Sequence, residues 1–177
     1  MNLLAQDPLV ETYPDFRLLQ RFVLGVLYFA TRGGNWGNDS RWVTQTNECQ
    51  WFQRSDIVEF AACVNRRIVA LSLKDNGLAG PVPLELELLP NLVLLEFSNN
   101  GLTGTIPGRL SNLSNLQGLI LFDNFLSGTI PDGIGRLTEL RGLDLDFNQL
   151  DGELPNALGL LTNLESLFVS GNVSFSA

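Results

Sequence analysis

Histidine is absent from the 177 residues of this chain, and cysteine, methionine and lysine are scarce. Without histidine the chain cannot hold a Ser-His-Asp or Cys-His catalytic group, nor a zinc ion bound by histidine. Its two cysteines are too few for a four-cysteine metal site. A single lysine and a net charge of −8 argue against binding nucleic acid or an anionic membrane surface. The 45% of hydrophobic residues argues for one ordinary folded domain instead of a disordered chain.

Leucine, in contrast, is abundant and unevenly distributed. The chain has 35 leucines, of which 28 follow residue 70. In that part an asparagine recurs every 24 residues, with apolar residues three and five positions before it. In the first four turns Leu, Gly and Pro follow it at two, four and seven positions. The repeated asparagines are Asn76, Asn100, Asn124, Asn148 and Asn172. So many columns in register predict a stack of equivalent turns.

Each column has a physical role in such a stack. Apolar side chains two positions apart lie on one face of a short strand, and strands of successive turns pair in parallel about 4.8 Å apart. The asparagine follows the strand, so we expect its buried amide to bond to backbone groups of its own turn and the next. The glycine allows a bend, and the proline fixes φ and discourages a long helix.

The segment LQGLILFDNFLSGTIP, residues 116–131, resembles the leucine-rich repeat of plant-type proteins, LxxLxxLxLxxNxLxGxIPxx. The resemblance covers residues 67–177, with four full turns and a fifth begun. It implies an α/β solenoid, a right-handed coil with a concave parallel β-sheet. It also implies a second short strand near the G-x-I-P segment, as in plant receptor-kinase ectodomains and polygalacturonase-inhibiting proteins.

Residues 1–66 lack the repeat and are predicted to form an N-terminal cap. Apolar residues at helical spacing predict a helix over about 15–31, with Asp15 as its N-cap and glycines at 33–34 ending it. A secretory hydrophobic segment is the alternative, although acidic residues precede the run where a signal peptide is basic. Trp36, Trp42 and Trp51 are expected to cover the apolar edge of the first repeat, with a ligand platform as the alternative.

The cysteines also carry a resemblance. Cys49, followed by Trp51 two positions later and then by Cys63, resembles the paired-cysteine cap of plant-type repeats. The preceding helix and Gly-Gly-Asn-Trp segment resemble leucine-rich-repeat proteins of diatoms. This implies a Cys49–Cys63 disulfide and a location outside the cell or on the outer face of a membrane. A reduced pair would instead indicate the cytoplasm.

Asn-x-Ser sequons occur at Asn38, Asn112 and Asn172. The first two are glycosylation candidates, whereas Asn172 belongs to the asparagine column. The fifth turn has serine where the pattern requires Leu and Gly, and no polar capping turn follows it. We therefore expect the natural protein to continue, with a tail folded over the last turn as the alternative.

Strand positions between the apolar columns should face the hollow of the coil and are not needed for stacking. We predict a partner-binding face there, for a protein or peptide with basic and apolar side chains. Its candidate residues are Glu96, Ile120, Phe122, Asp123, Asp144, Asp146, Phe147 and Phe168. A solvated acidic face whose Phe side chains pack on their neighbours is the alternative.

Catalysis and metal binding are weaker interpretations. Asp144 and Asp146 lie about 7 Å apart by strand geometry, a separation found in inverting glycosidases. No enclosing groove or apolar pocket is evident, however. Calcium on Asp123, Asp144 and Asp146 lacks the dense ligand spacing of a dedicated loop. We expect no enzyme activity, cofactor or metal.

The sequence therefore predicts a non-catalytic recognition module, a fragment of a receptor-like or cell-surface leucine-rich-repeat protein. A secreted inhibitor of a cell-wall hydrolase and a structural or adhesive cell-wall protein are the alternatives.

Overall fold

The structure is a computed structural model that describes residues 13–37, 47–50 and 60–176. The cap helix α1 spans Asp15–Ala30, so the predicted helix is present. The prediction that Asp15 is its N-cap is wrong, because Pro14 already has the extended backbone of a cap and Asp15 is helical. In the first turn the Asp15 carboxylate still favours the helix, since negative charge is stabilising near a helix N-terminus.

A six-stranded sheet holds the apolar strand of every repeat. Its strands are β1 (Phe60–Val64), β2 (Arg67–Ser72), β4 (Leu94–Glu96), β6 (Gly118–Ile120), β8 (Gly142–Asp144) and β10 (Ser166–Phe168), in that order across the sheet. From β2 onward neighbours are parallel and shifted by one 24-residue repeat, so Leu71 pairs with Leu95 and Leu95 with Leu119. β1 is antiparallel to β2, which the repeat pattern does not predict.

A second sheet of five parallel strands lies after the asparagine column. It comprises β3 (Ala79–Pro81), β5 (Gly101–Gly104), β7 (Phe125–Gly128), β9 (Gln149–Glu153) and β11 (Ser174–Ser176). The expected second short strand near the G-x-I-P segment is confirmed. After each proline of that segment comes one turn of 3₁₀ helix, at Leu84–Leu88, Gly108–Asn112, Asp132–Arg136 and Asn156–Leu160.

The leucine columns form one continuous core between the sheets and the 3₁₀ helices. In the third repeat Leu119, Leu121 and Leu126 have no exposed surface, and equivalent leucines of the neighbouring turns contact them. Each such side chain contributes roughly 1.5–3 kcal/mol when it leaves water. The stack is therefore held together by apolar contacts between turns, since a lone turn could not cover its own leucines.

The asparagine column forms a hydrogen-bonded ladder. The Asn124 Nδ2 donates to the backbone oxygens of Phe97 (2.9 Å) and Leu121 (3.1 Å), and its Oδ1 accepts from the Leu102 backbone N–H (3.0 Å). The partners belong to its own turn and the preceding one, so the expectation of bonds to the next turn is wrong. Equivalent bonds are made by Asn100, Asn148 and Asn172.

Burial varies along this ladder. Asn76, Asn124 and Asn148 are buried, as the hypothesis requires. Asn100 and Asn172 are only partly buried, so complete burial was too strong an expectation. Their amides nevertheless bond to backbone groups of two turns. The hydrogen bonds are therefore common to four of the asparagines, whatever their exposure.

The cap joins the coil through a backbone hydrogen bond to β3, of the kind that also links successive turns. The Thr31 carbonyl accepts a hydrogen bond from the Ala79 N–H at 3.0 Å, as the Leu78 carbonyl accepts one from the Gly101 N–H a turn later. Trp36 is buried and its Nε1 donates to Thr31 O at 2.9 Å, as expected for a core side chain. Trp42 and Trp51 lie outside the described residues.

Polar side chains fix the helix to strand β2 and to the rest of the cap. The Gln20 Oε1 accepts from the Ile68 backbone N–H at 2.8 Å, and its Nε2 donates to the Arg66 carbonyl at 3.1 Å. The buried Glu48 carboxylate accepts from the Arg17 Nε at 2.9 Å and from Gln20. Beside Glu48 the expected disulfide joins Cys49 to Cys63 in β1.

Candidate partner-binding face

The six-stranded sheet arranges the candidate residues in rows, one residue per turn. The register places Glu96, Ile120, Asp144 and Phe168 side by side, in a row that begins at Ser72. Neighbouring members are about 4.8 Å apart, the spacing of paired strands. The next row follows the strands two positions later and consists of Lys74, Ser98, Phe122, Asp146 and Ser170. Candidates 24 or 48 residues apart in sequence thus share one surface.

At the N-terminal end of this face, the side chains cover one another and leave little surface open to solvent. Ser72 and Ser98 are fully buried, and their hydroxyls donate to the Glu96 carboxylate at 2.7 Å and 3.4 Å. The Lys74 Nζ lies 5.8 Å from the centre of the Phe122 ring, two turns away, so the lysine side chain passes over Ser98. The expectation that every position between the apolar columns faces an open hollow is therefore wrong here, because short serine side chains are covered by longer neighbours.

Three of the candidates at this end are consequently engaged. Glu96 accepts two serine hydroxyls, Phe122 is half-buried beside a cationic lysine, and Ile120 is half-buried between Glu96 and Asp144. A lysine above an aromatic ring contributes roughly 0.5–1 kcal/mol at an exposed site. A partner would reach these side chains only partly from solvent.

Two carboxylates farther along accept hydrogen bonds from backbone N–H groups. The Asp144 Oδ1 accepts a hydrogen bond from the Asp146 backbone N–H at 3.1 Å, and the Asp146 carboxylate accepts one from the Ser170 N–H. Burial raises the pKa of the Asp144 carboxyl above its usual range; the bond from Asp146 opposes this rise and the Asp146 charge adds to it. Asp123, one turn before Phe147, is exposed.

Aromatic side chains dominate the C-terminal end. Phe147 is 61% exposed and Phe168 51% exposed. Phe147 has a positive φ of 52°, and its ring lies over Gly171 in the next turn. Beside these rows Arg141 and Glu165 form an exposed ion pair of 2.9 Å, so neither charge is isolated. The open part of the face is therefore apolar and acidic.

Two exposed apolar residues next to the asparagine ladder were missed by the sequence analysis. Phe125 is 55% exposed and Val173 is exposed too, each directly after an asparagine of the ladder. Gly77 and Gly101 occupy the same position in the first two turns. The change from glycine to large apolar residues could have indicated an exposed apolar site, but the predicted binding face was confined to strand positions.

The remaining candidates are placed as follows. Asn112 is exposed, and its Nδ2 donates to Glu87 on the preceding 3₁₀ helix; its glycosylation stays a prediction. Asn172 donates to three backbone carbonyls. Asn38 lies outside the described residues. In the described ranges no group of three or more Cys, Asp or Glu could hold a metal ion, so the grouping of Asp123, Asp144 and Asp146 does not form a calcium site there.

Within residues 13–37, 47–50 and 60–176, no helix combines the length and hydrophobicity that spanning a bilayer requires. The only helix there of more than five residues is α1, with 16.

Known proteins share this fold. The Leucine Rich Repeat family model matches residues 91–113, 115–137 and 139–161. A plant ice-binding protein is 32% identical with a TM-score of 0.75, over 86% of this chain and 47% of that one. The leucine-rich-repeat ectodomain of the receptor kinase SOBIR1 from Arabidopsis thaliana is 28% identical with a TM-score of 0.69, over 93% of this chain and 83% of that one.

Peptide-bound receptors are also similar. The ectodomain of GASSHO1/SCHENGEN3 from Arabidopsis thaliana, in complex with CASPARIAN STRIP INTEGRITY FACTOR 2, is 37% identical with a TM-score of 0.59, over 59% of this chain and 13% of that one. The chain thus spans about half of the ice-binding protein and a smaller part of this receptor. No curated protein matches the chain. The repeats of this chain are leucine-rich repeats of the plant type, stacked as a solenoid behind a helical, disulfide-bonded N-terminal segment.

Proposed function

We propose that this chain is a non-catalytic recognition module, part of a receptor-like or cell-surface protein, that binds a protein or peptide on its six-stranded sheet. The observation that carries the proposal is the contrast between the buried leucine columns and the exposed phenylalanines in the later turns of the sheet. Inward leucines such as Leu119 and Leu143 are completely buried, whereas exposed Phe147 and Phe168 lie near the carboxylates of Asp144 and Asp146. Contiguous exposed apolar surface, unlike a single exposed apolar residue, indicates an interaction site.

The chemistry of the face suggests the chemistry of the partner. Residues 142–177 contain five acidic and no basic residues, so a partner with basic side chains would be attracted. Its apolar side chains would be buried against Phe147 and Phe168, with Glu96, Ile120, Phe122, Asp123, Asp144 and Asp146 completing the site. Aromatic residues are common among the positions that contribute most to binding.

The solved neighbours support this class of function. The GASSHO1/SCHENGEN3 ectodomain is in complex with CASPARIAN STRIP INTEGRITY FACTOR 2, and the peptide hormone receptor RGFR1 is in complex with RGF2. These ectodomains and the Cys49–Cys63 disulfide favour a location outside the cell.

A selection experiment tests the proposed face. The disulfide-bonded chain is immobilised, and binders are selected from a display library of random short peptides. We expect the enriched peptides to combine basic and apolar residues. The enriched peptides are then synthesised, and Asp144→Ala or Phe122→Ala in the chain should weaken their binding by about 2 kcal/mol where the contact is central. Arg109→Ala and Arg136→Ala change the 3₁₀-helix side and serve as controls. Loss of binding in the controls alone would place the site on the opposite surface.

A further inference from the structure

Phe147 adopts a backbone conformation that its side chain does not favour. Its φ is 52°, in the left-handed region. The equivalent positions of the other turns are also left-handed and hold Asp75, Asn99, Asp123 and Gly171. Asp, Asn and Gly tolerate this region, but for a bulky residue it is an outlier that costs free energy. The coil would therefore accept Asn or Asp at 147 more readily than Phe.

The neighbouring turn nevertheless makes room for this ring. A Cβ on Gly171 would lie only 2.6 Å from the Phe147 Cδ1, so any larger residue at 171 would displace the ring. Even so, 61% of Phe147 remains exposed, and the ring adds little to the core. Strained residues that persist on a surface are concentrated at functional sites.

A second exposed phenylalanine lies on the preceding turn, close to Phe147 along the backbone. Phe125 follows Asn124, whose backbone N–H donates to the Phe147 carbonyl at 3.2 Å. Phe125 is 55% exposed, and its equivalents in the first two turns are Gly77 and Gly101. Both phenylalanines belong to internal turns, at the flank where the chain leaves the six-stranded sheet.

We propose that Phe125 and Phe147, here named the flank pair, form the anchoring site for an apolar side chain of a basic peptide segment. This inference rests on the proposed function and locates its specificity at the flank of the sheet. The charge around the pair selects the occupant. Exposed Asp123 lies two residues before Phe125, at the position equivalent to Phe147 in the preceding turn, and Asp146 precedes Phe147. Acidic neighbours favour a cationic partner over an anionic membrane or a second copy of this chain, whose net charge is −8.

Matched substitutions test the flank pair. Phe147→Asn and Phe125→Gln introduce residue types that other turns carry at the same positions, Asn99 and Gln149. Phe29→Ala removes a similarly exposed phenylalanine from α1 and is the control. The probe is the synthesised basic, apolar peptide that the display selection enriches on the unmodified chain. We expect each flank substitution to weaken binding at least about tenfold, and the control to change it less than about twofold.

Thermal unfolding gives a second readout that needs no peptide. Because Asn tolerates a left-handed backbone, we expect Phe147→Asn to keep the melting temperature or raise it by a few degrees. A clear fall would mean that the Phe147 ring is kept for the coil, and would overturn the inference.

The outcomes separate the two proposals. If Phe122→Ala and Asp144→Ala weaken the peptide but the flank substitutions do not, the anchoring site is wrong and the proposed function stands. If no peptide is enriched, or if neither set affects binding, both are wrong. Binding to anionic vesicles, or self-association that Phe147→Asn abolishes, would identify another occupant and overturn the inference.

Discussion

The side-chain oxygen of Asn124 lies 3.0 Å from the backbone nitrogen of Leu102, in the preceding turn of the stack. With two bonds from its Nδ2 to the carbonyls of Phe97 and Leu121, one side chain satisfies three backbone groups that water does not reach. The same geometry recurs at Asn148, where the Leu126 N–H is 3.0 Å from Oδ1. The ladder therefore links neighbouring turns in addition to the leucine core and the paired strands.

Replacing Asn124 tests the ladder. We expect Asn124→Leu to lower the free energy of unfolding by about 1–3 kcal/mol, because buried backbone groups lose their partners. Asn115→Ala, which removes one exposed bond to the Pro90 carbonyl, should have a much smaller effect. Urea unfolding measures both. A wild-type melting temperature for Asn124→Leu would contradict the role given to the ladder.

The junction between cap and coil can be tested at Gly80. Its φ is 118°, and a Cβ there would lie 2.4 Å from the Ala30 carbonyl oxygen, at the end of α1. We expect Gly80→Ala to cost roughly 1–3 kcal/mol and to increase hydrogen exchange in α1. Gly159→Ala is the control, because no heavy atom lies within 4 Å of the added methyl. Equal stability of the two variants would show that the helix is not seated closely on β3.

Reduction of the disulfide should weaken the cap. In the chain-entropy model, closing the loop between Cys49 and Cys63 contributes roughly 3 kcal/mol to stability. A reducing agent should therefore lower the melting temperature. The double variant Cys49→Ser, Cys63→Ser should resemble the reduced protein and not respond to the agent. Mass spectrometry of naturally produced protein should find no free thiol; two free thiols would indicate the cytoplasm.

Two carboxyl groups should show opposite pH dependence. Burial raises the pKa of Asp144, so the folded state holds its proton more tightly than the unfolded one and its contribution to stability falls as the pH rises above about 4. Asp144→Asn should therefore stabilise the chain near pH 7, with a gain that disappears on acidification.

Glu87 should show the pH dependence opposite to that of Asp144. The hydrogen bond from Arg109, at 2.6 Å, lowers its pKa, so its stabilisation is present above the unfolded pKa and is lost as the pH falls. Glu87→Gln should destabilise near pH 7 and converge with the wild type in acid. Melting curves at several pH values would measure both differences; slopes of the same sign would refute the assignment.

The repeated part of the fold could be predicted because each turn carries the same residue at the same position. Leu119 and Asn124 are placed by periodicity alone, since stacking identical turns leaves one side of the strand for the core. The direction of the asparagine bonds could not be predicted, because the same column allows pairing with the turn before or after it.

The parts that do not repeat were harder to predict. Gln20 binds the Ile68 N–H across 48 positions, and the antiparallel strand β1 extends the sheet without a leucine pattern. On the candidate face, the covering of Ser98 by Lys74 depends on side-chain length and reach, which residue type alone does not determine. Phe125 was missed because it lies outside the strand positions that were examined.

The asparagine ladder has a direction, since Asn100, Asn124, Asn148 and Asn172 each bond to the turn before and none of these bonds points forward. A chain synthesised from its N-terminus would thus complete each turn when the following one leaves the ribosome. The Thr31 carbonyl, already paired with β3, provides the first surface for this assembly. Growth of the coil during translation would then be templated from the cap onward, with every turn closed by the asparagine of the turn that follows it.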